Sequence, residues 1–550
     1  MLHAYELGLR ADDRQRANVA DLQVALMAAG WGELDVATPL FGRVVAEAAE
    51  LALEQGPGDA AERWDALARA ARLDAAMSVP PIVPGVDDLR LYRNLLRDDL
   101  AAMGRPEAWG KPLSQAAQRD LVGHVGRTLF HLAHQCENEV LEMRLLGAAL
   151  RAAAPEVLAV DAVASEAADS VETVHDSIRI GFVSTYLTEH SIGKMLGEVL
   201  GLLSNHALIE ECFAFHVVAN VGDYDGRDHV RNFIDASTKA VEVARHDLVG
   251  QRMAILGAKL DVLVFPDVGM EASTYFLAFA RLARVQCVWW GHPTTTGLET
   301  VDYYLSLDTE VSDADSMYDE QLVRLEHVNT APFVEADLWR DSSPKHISDF
   351  LPLEDDARLY VVLGRLFKLH PLFDDILVDL LSRDTEGVVV LIGEPQRALN
   401  SRLWSRVSGA VKRAVADADL KDSVLRRIVF VDYWNYLHVL ANAAVVLDTF
   451  PYGGCLTALD SLSNGVPLIT LPSQFERGRF AMSIYQQMNF TQLVARDEAH
   501  FVELAVTVAN DSRLREETVQ RLRRHYPAAH RPQSVADEWA PLFHKLARHT

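Results

Sequence analysis

The chain has 550 residues, more than one hydrophobic core can serve, so several domain-sized units are expected. Apolar residues make up 49% and charged residues 24%, with no long Pro/Ser or single-sign tract, which is globular composition and excludes extended disorder. Against 52 basic residues stand 78 acidic ones, and the formal net charge of −26 opposes broad attraction to nucleic acid or anionic membrane, so any phosphate site must be local.

The N-terminus, Met1-Leu2-His3-Ala4-Tyr5-Glu6, has no basic segment followed by an apolar core. No later stretch approaches the run of about 18 apolar residues that a membrane helix needs. A cytoplasmic protein without a membrane span is expected. The cysteines Cys136, Cys212, Cys287 and Cys455 are widely spaced and form no Cys-x-x-Cys pair, as small buried residues in a reducing compartment would.

Residues 1–158 are rich in Ala, Leu, Glu and Arg, with apolar positions at helical spacing such as Trp64, Leu67, Ala68 and Ala71, and predict an all-α domain. Gly56-Pro57-Gly58 separates two helices, and Asp59 with Glu62 has the spacing of a capping box opening the second. No recurring pattern of small and aromatic positions is present, so a degenerate repeat and an irregular bundle both fit. Residues 159–177, acidic and rich in Ala, Val and Ser, read as a linker.

From Ile178 onward short β-branched runs alternate with helical stretches: Arg179 to Ser184, Cys212 to Val218, Asp261 to Phe265, Val285 to Trp290 and Tyr303 to Ser306. After Ser342-Ser343-Pro344 the rhythm restarts with Leu359 to Leu363, Gly387 to Ile392, Ile428 to Val431, Val445 to Leu447 and Pro467 to Leu471. The reading is an α/β protein with two Rossmann-like, doubly wound domains, 178–342 and 343–550, the second carrying the C-terminal helices. Open parallel sheets bind ligands outside the carboxyl ends of their strands, so the chemistry is expected in strand-end loops facing a shared cleft.

Among those loops the segment Val445 to Asp460 is the most informative, because it reads strand, glycine turn, helix. Gly453 and Gly454 let the backbone approach a ligand, and a helix beginning near Cys455 would aim unpaired N–H groups and its positive end at an anion such as a diphosphate. Thr457 offers a hydroxyl, and Asp460 could fix Thr457 or accept a ribose hydroxyl. Taken alone, two glycines also make an ordinary tight connection, and Asp460 an ordinary helix-start acid.

Lys368, before His370-Pro371, follows the first strand of the second sheet and can bring a cation to the diphosphate, although most loop lysines are simply solvated. His190 leaves the first strand of the first sheet and could act as a base or hold an acceptor; a surface histidine is the plain alternative. Gly291-His292-Pro293-Thr294-Thr295-Thr296-Gly297 forms a further loop whose hydroxyls and glycines could line the acceptor side. His124, His131 and His134 share a helical face, but no His-Glu-x-x-His pattern accompanies them, so they read as structural and no metal site is expected. Neither Gly-x-Gly-x-x-Gly after a strand nor a phosphate loop ending in Gly-Lys-Ser/Thr is present, which removes the main support for dinucleotide oxidoreductases and nucleotide triphosphatases.

Assembled, Arg179 to His190, Ala283 to Gly297, the Lys368-Leu369-His370-Pro371 loop, and Leu447 to Asp460 followed by Gly465-Val466-Pro467 resemble the protein O-linked N-acetylglucosamine transferase and SPINDLY family, glycosyltransferase family 41. Its bacterial relatives of the adhesin N-glucosyltransferase type are included. The resemblance implies a GT-B fold and an inverting, metal-independent enzyme that needs no cofactor. It implies transfer of glucose or N-acetylglucosamine from a UDP-sugar to a Ser/Thr or Asn side chain of a polypeptide. By position it makes Lys368 the residue at the diphosphate, Asp460 the acid at the uridine ribose and His190 the cleft histidine. Arg365 falls where relatives carry a polar donor-site residue, and Asp432 and Tyr433 near the loop that holds uracil. Where the family has His-Thr-Thr, Gly-Thr-Thr or Asn-Thr-Asn, this chain has Gly454-Cys455-Leu456-Thr457, leaving backbone N–H groups and Thr457 to hold the donor. A small-molecule or glycan acceptor, and a non-catalytic UDP-sugar-binding scaffold, are the alternative functions.

Overall fold

The computed structural model describes residues 13–30, 34–158, 176–331 and 345–549. Its helical part comprises Asp13–Gly30, Leu34–Glu54, Asp59–Ala76, Val86–Met103, Gln115–His124 and Val140–Ala153, with 3-10 turns at Pro106–Trp109 and Phe130–Gln135. Trp64, Leu67, Ala68 and Ala71 form one buried cluster with Phe41 and Val44 of the preceding helix, as their spacing demands. All but the last two residues of the expected linker, 159–177, and the expected boundary near residue 342 lie outside the described residues.

Two local expectations fail for identifiable reasons. The helix after Gly58 starts at Asp59, but its N-cap is Gly58, which has no side chain to accept from the helix, and the capping box does not form. Glu62 instead accepts the Ser114 backbone N–H at 3.0 Å. Nor do the three histidines share a helix: His124 ends one, whereas His131 and His134 lie in the turn Phe130–Gln135. Between them the buried Asp74 carboxylate accepts the N–H groups of Gly126 and Arg127 at 3.1 and 3.0 Å, and the chain turns there.

The first sheet contains β1 (Ile178–Ser184), β2 (Ile209–Val218), β3 (Lys239–Ala244), β4 (Val262–Phe265), β5 (Val285–Trp289), β6 (Tyr303–Leu307) and β7 (Gln321–Leu325), in the parallel order β3-β2-β1-β4-β5-β6-β7. The second contains β8 (Leu359–Val362), β9 (Val388–Gly393), β10 (Ile428–Asp432), β11 (Ala443–Leu447) and β12 (Leu468–Ile469), also parallel, ordered β10-β9-β8-β11-β12. Every strand read from the sequence is present, although Pro467 to Leu471 contributes only the two residues of β12. The strands not foreseen, β3 and β7, are the two edges of the first sheet, where Lys239, Glu242, Gln321 and Arg324 interrupt the apolar run that marks a fully buried strand.

In each sheet the order reverses beside the first strand, between β1 and β4 and between β8 and β11. A parallel sheet opens a crevice at such a point, because successive crossovers leave to opposite faces. The loops after β1, β8 and β11, which carry His190, Lys368 and the glycine turn, therefore flank two crevices.

One domain assignment is corrected. The C-terminal helices were expected with the second sheet, but Pro532–His549 packs on the first: Trp539 stacks on Phe182 at 6.3 Å between centroids and meets Trp289 edge-on at 6.1 Å. Amphipathic spacing says that a helix buries a face, not against which domain. The helical domain also meets both sheets at one buried point. There Glu139 receives Arg477 of the second sheet domain through two bonds of 2.8 and 3.0 Å and the Thr294 hydroxyl of the first at 2.8 Å. Among the described residues no helix is long and apolar enough to cross a membrane.

Candidate active site between the two sheets

The glycine turn is organised by Asp448, the residue after β11, which the sequence reading had not singled out. Its buried carboxylate accepts the Gly454 N–H at 2.8 Å and the Thr470 hydroxyl at 2.7 Å, while the Gly453 N–H donates to the Arg477 carbonyl at 2.8 Å. Both glycine N–H groups are thus committed within the protein. The glycines are needed for packing: a Cβ on Gly453 would lie 2.9 Å from Asp448 Oδ2, and one on Gly454 1.9 Å from Thr457 Oγ1.

Backbone donors of the kind that suit an anion begin two residues later. The helix Leu456–Ser463 has Cys455 as its N-cap with no side-chain cap bond. In a helix the first N–H groups have no partner of their own, so Leu456, Thr457 and Ala458 present a row of donors at the positive end of the dipole. Cys455, Leu456 and Thr457 are half-buried, and the Thr457 hydroxyl sits in the room that Gly454 leaves. The Cys455 thiol, pushed up to about 12 by burial, contacts the Met195 sulfur at 3.8 Å. Met195 lies one turn into Ser191–Ser204, so the first turns of one helix from each sheet domain meet here.

Lys368 lies on the 3-10 turn Leu366–Lys368 after β8, half-buried, with Nζ 4.7 Å from the centroid of the Tyr452 ring. Burial pulls its pKa below the ordinary lysine value, and the Asp448 carboxylate opposes that pull. Asp460, one turn into the glycine-turn helix, accepts the Tyr436 hydroxyl at 2.9 Å. Burial raises its pKa, which the Tyr436 bond and the charge of Lys194, from across the cleft, counter. The Tyr436 bond joins Asp460 to the loop after β10, where Asp432 is exposed, Tyr433 is 51% exposed and Trp434 is 87% exposed. Such an aromatic edge suits a planar base.

The remaining expected residues fare differently. His190 is the N-cap of Ser191–Ser204, and its Nδ1 accepts the Ile192 N–H at 3.3 Å. In the neutral ring that bond places the proton on Nε2, so His190 presents a hydrogen-bond donor there. Burial and Lys194 lower its pKa and keep it neutral. Arg365 pairs with Glu394, with Nε 2.8 Å from Oε1 and Nη2 2.5 Å from Oε2, and its side chain stays 52% exposed. The loop Gly291 to Gly297 does not line an open acceptor surface. His292 is buried and stacked on Phe130 at 5.3 Å, the Pro293 carbonyl accepts from Arg477, and the hydroxyls of Thr294 and Thr295 bond Glu139 and Glu320 at 2.8 Å each. Short polar residues after a buried strand serve a cleft or a domain contact equally well, and only packing distinguishes them.

Asp448 gives a pH-dependent prediction. Burial raises its pKa from 3.8 to about 6, so the folded protein holds this proton more tightly than the unfolded chain. The stability associated with the neutral carboxyl is fully present below the unfolded value and is lost as pH rises through the folded one. Asp448→Asn removes that loss: its melting temperature relative to wild type is expected to be higher at pH 7 than at pH 4.5, by the equivalent of at most about 3 kcal/mol. A difference independent of pH across that range would show that Asp448 is not buried as a carboxylate.

Residues 348–530 match the model of glycosyl transferase family 41. The SPINDLY protein of Petunia hybrida, named a probable UDP-N-acetylglucosamine–peptide N-acetylglucosaminyltransferase, is 26% identical over 234 residues, 42% of this chain and 24% of its own length. The Arabidopsis thaliana SEC protein, of the same naming, is 25% identical over 319 residues, 56% of this chain and 30% of its own. A UDP-glucose:protein N-beta-glucosyltransferase of Actinobacillus pleuropneumoniae is 24% identical over 252 residues, 46% of this chain and 38% of its own. The chain thus spans about a quarter to a third of the plant relatives' length. In three dimensions it is similar to a Thermobaculum terrenum O-GlcNAc transferase variant, with a TM-score of 0.61 and 19% identity, covering 97% of this chain and 98% of that one. The fold is accordingly GT-B, with an all-α domain before its two sheets, and the family resemblance carried by the strand-end loops holds.

Proposed function

We propose that this chain, a GT-B protein whose second sheet domain matches glycosyl transferase family 41, transfers a sugar from a UDP-sugar to a polypeptide side chain. The observation that carries this reading is the convergence of Lys368, the open N–H row of Leu456 to Ala458 and the Asp460–Tyr436 pair around one crevice. A diphosphate, a ribose and a base each find fitting chemistry there. The plant and Actinobacillus relatives, whose names specify UDP-sugars and peptide or protein acceptors, support the same reading.

In the reaction the acceptor oxygen or nitrogen attacks the anomeric carbon as the bond from that carbon to the β-phosphate oxygen breaks. The electron pair leaves with UDP, and the acceptor proton leaves to a base or to water. Direct displacement inverts the anomeric configuration. Negative charge grows on the diphosphate while the sugar gains oxocarbenium character, so fixed donors at the phosphate lower the barrier. Lys368 and the helix start supply them without a metal, and His190 adds an Nε2–H donor at the cleft.

Intact-mass analysis of candidate polypeptides incubated with UDP-glucose or UDP-N-acetylglucosamine tests the reading. A gain of one hexose or one N-acetylhexosamine on protein is the expected result. UDP release without a mass gain would transfer the activity to a small-molecule or glycan acceptor. Tight UDP binding without turnover would make the chain a scaffold.

A further inference from the structure

His134 belongs to the helical domain and plays no part in the chemistry above, yet its ring lies beside the donor site. Its centroid is 4.7 Å from that of Phe367, the residue before Lys368, and 4.7 Å from that of Tyr452, the residue before the glycine turn. The ring is 5% exposed, and its Nδ1 is buried without a partner. Phe130 closes the group, at 5.0 Å from His134, 5.9 Å from Phe367 and 5.3 Å from His292. One aromatic box is therefore built from the helical domain, the loop after β5 and the loops after β8 and β11.

The box has a consequence for Lys368. A lysine ammonium on a four-carbon stem is mobile when solvated, and a mobile charge stabilises a transition state poorly. Here the ammonium lies over the face of Tyr452, and His134 packs against the same ring. A neutral ring suits this place, because a second cation beside Lys368 would repel it. Burial, with the charges of His131, Lys368, His292 and Arg477, holds His134 well below the ordinary histidine value. Facing Lys368 itself are Asp448, Cys455, Arg365 and Cys136.

We propose that the helical domain completes the diphosphate site, with His134 a positioning residue that fixes Tyr452 and, through it, the Lys368 ammonium. The proposal rests on the reading of that crevice as a UDP-sugar site. Its prediction is that His134→Ala admits water beside Lys368, whereas His134→Phe keeps the ring contacts.

Two measurements on the full chain test it. Calorimetric binding of UDP is expected to weaken about 10-fold in His134→Ala and to stay within about 3-fold of wild type in His134→Phe. The pH dependence of Lys368 acylation by acetic anhydride, read by peptide mass mapping, needs no donor: its midpoint is expected to rise by about 1 in pH in His134→Ala and to be unchanged in His134→Phe. An unchanged Lys368 midpoint in His134→Ala overturns the proposal. UDP binding as weak in His134→Phe as in His134→Ala also overturns it, because the ring nitrogen would then matter and not the packing. Failure of wild type to bind UDP would sink the proposed function instead, leaving the acylation measurement to judge the role of His134.

Discussion

Replacing Lys368 with alanine is expected to lower sugar transfer by on the order of 100- to 1000-fold, the typical cost of removing one fixed donor from a developing oxyanion. The fold should survive the change. Among the described residues Lys368 has no carboxylate in salt-bridge contact: its ammonium lies over Tyr452, and Asp448, the main compensating charge, keeps its own bonds to Gly454 and Thr470. Removing a cation whose pKa is already depressed by burial relieves desolvation, so the melting temperature is expected to stay level or rise. The lost interaction exists mainly in the transition state, and kcat is expected to fall more than KM rises. Transfer at the wild-type rate by a folded Lys368→Ala protein would remove the lysine from the mechanism.

The second large effect concerns stability. Glu139 and Arg477 are 3% and 4% exposed at the side chain and hold each other through two hydrogen bonds, with Thr294 joining from the first sheet domain. In Glu139→Ala the Arg477 guanidinium stays buried without its counter-charge, which costs about 3–5 kcal/mol. A fall in melting temperature on the order of 10 °C is expected by calorimetry. Activity should fall as well, because the Arg477 carbonyl holds the Gly453 N–H at the turn. Combining Glu139→Leu with Arg477→Met tests the cause: the double variant is expected to recover much of the stability, since it buries no unpaired charge. A double variant as unstable as Glu139→Ala would show that packing volume, and not the charge pair, holds the junction.

Much of this architecture was legible along the chain. Strands buried on both faces appear as near-continuous apolar runs, interrupted in β1 by Arg179 near its start, which is why β1 and β8 were placed to within one residue. The strand-end rule then located His190, Lys368 and the glycine turn without any knowledge of contacts. Edge strands β3 and β7 escaped because exposure on one side lets charged residues into the run. Asp448 was overlooked although its signal was present, a carboxylate between a buried strand and two glycines. Trp434 and Tyr436 were equally available beside Asp432 and Tyr433.

The sequence by itself determined the order of the domains, the parallel sheets and the loops that could carry chemistry, because periodicity and glycine placement act over a few residues. Only the tertiary structure decided which polar groups remain free. It committed the N–H groups of Gly453 and Gly454 to Arg477 and Asp448 and the Thr294 hydroxyl to Glu139, paired Arg365 with Glu394, and left the helix start beyond the turn open. It also brought His134, over two hundred residues before Lys368 in the chain, to the wall of the same site. Hydrogen-bond partners and burial are settled by groups remote in sequence, and a local pattern carries no record of them.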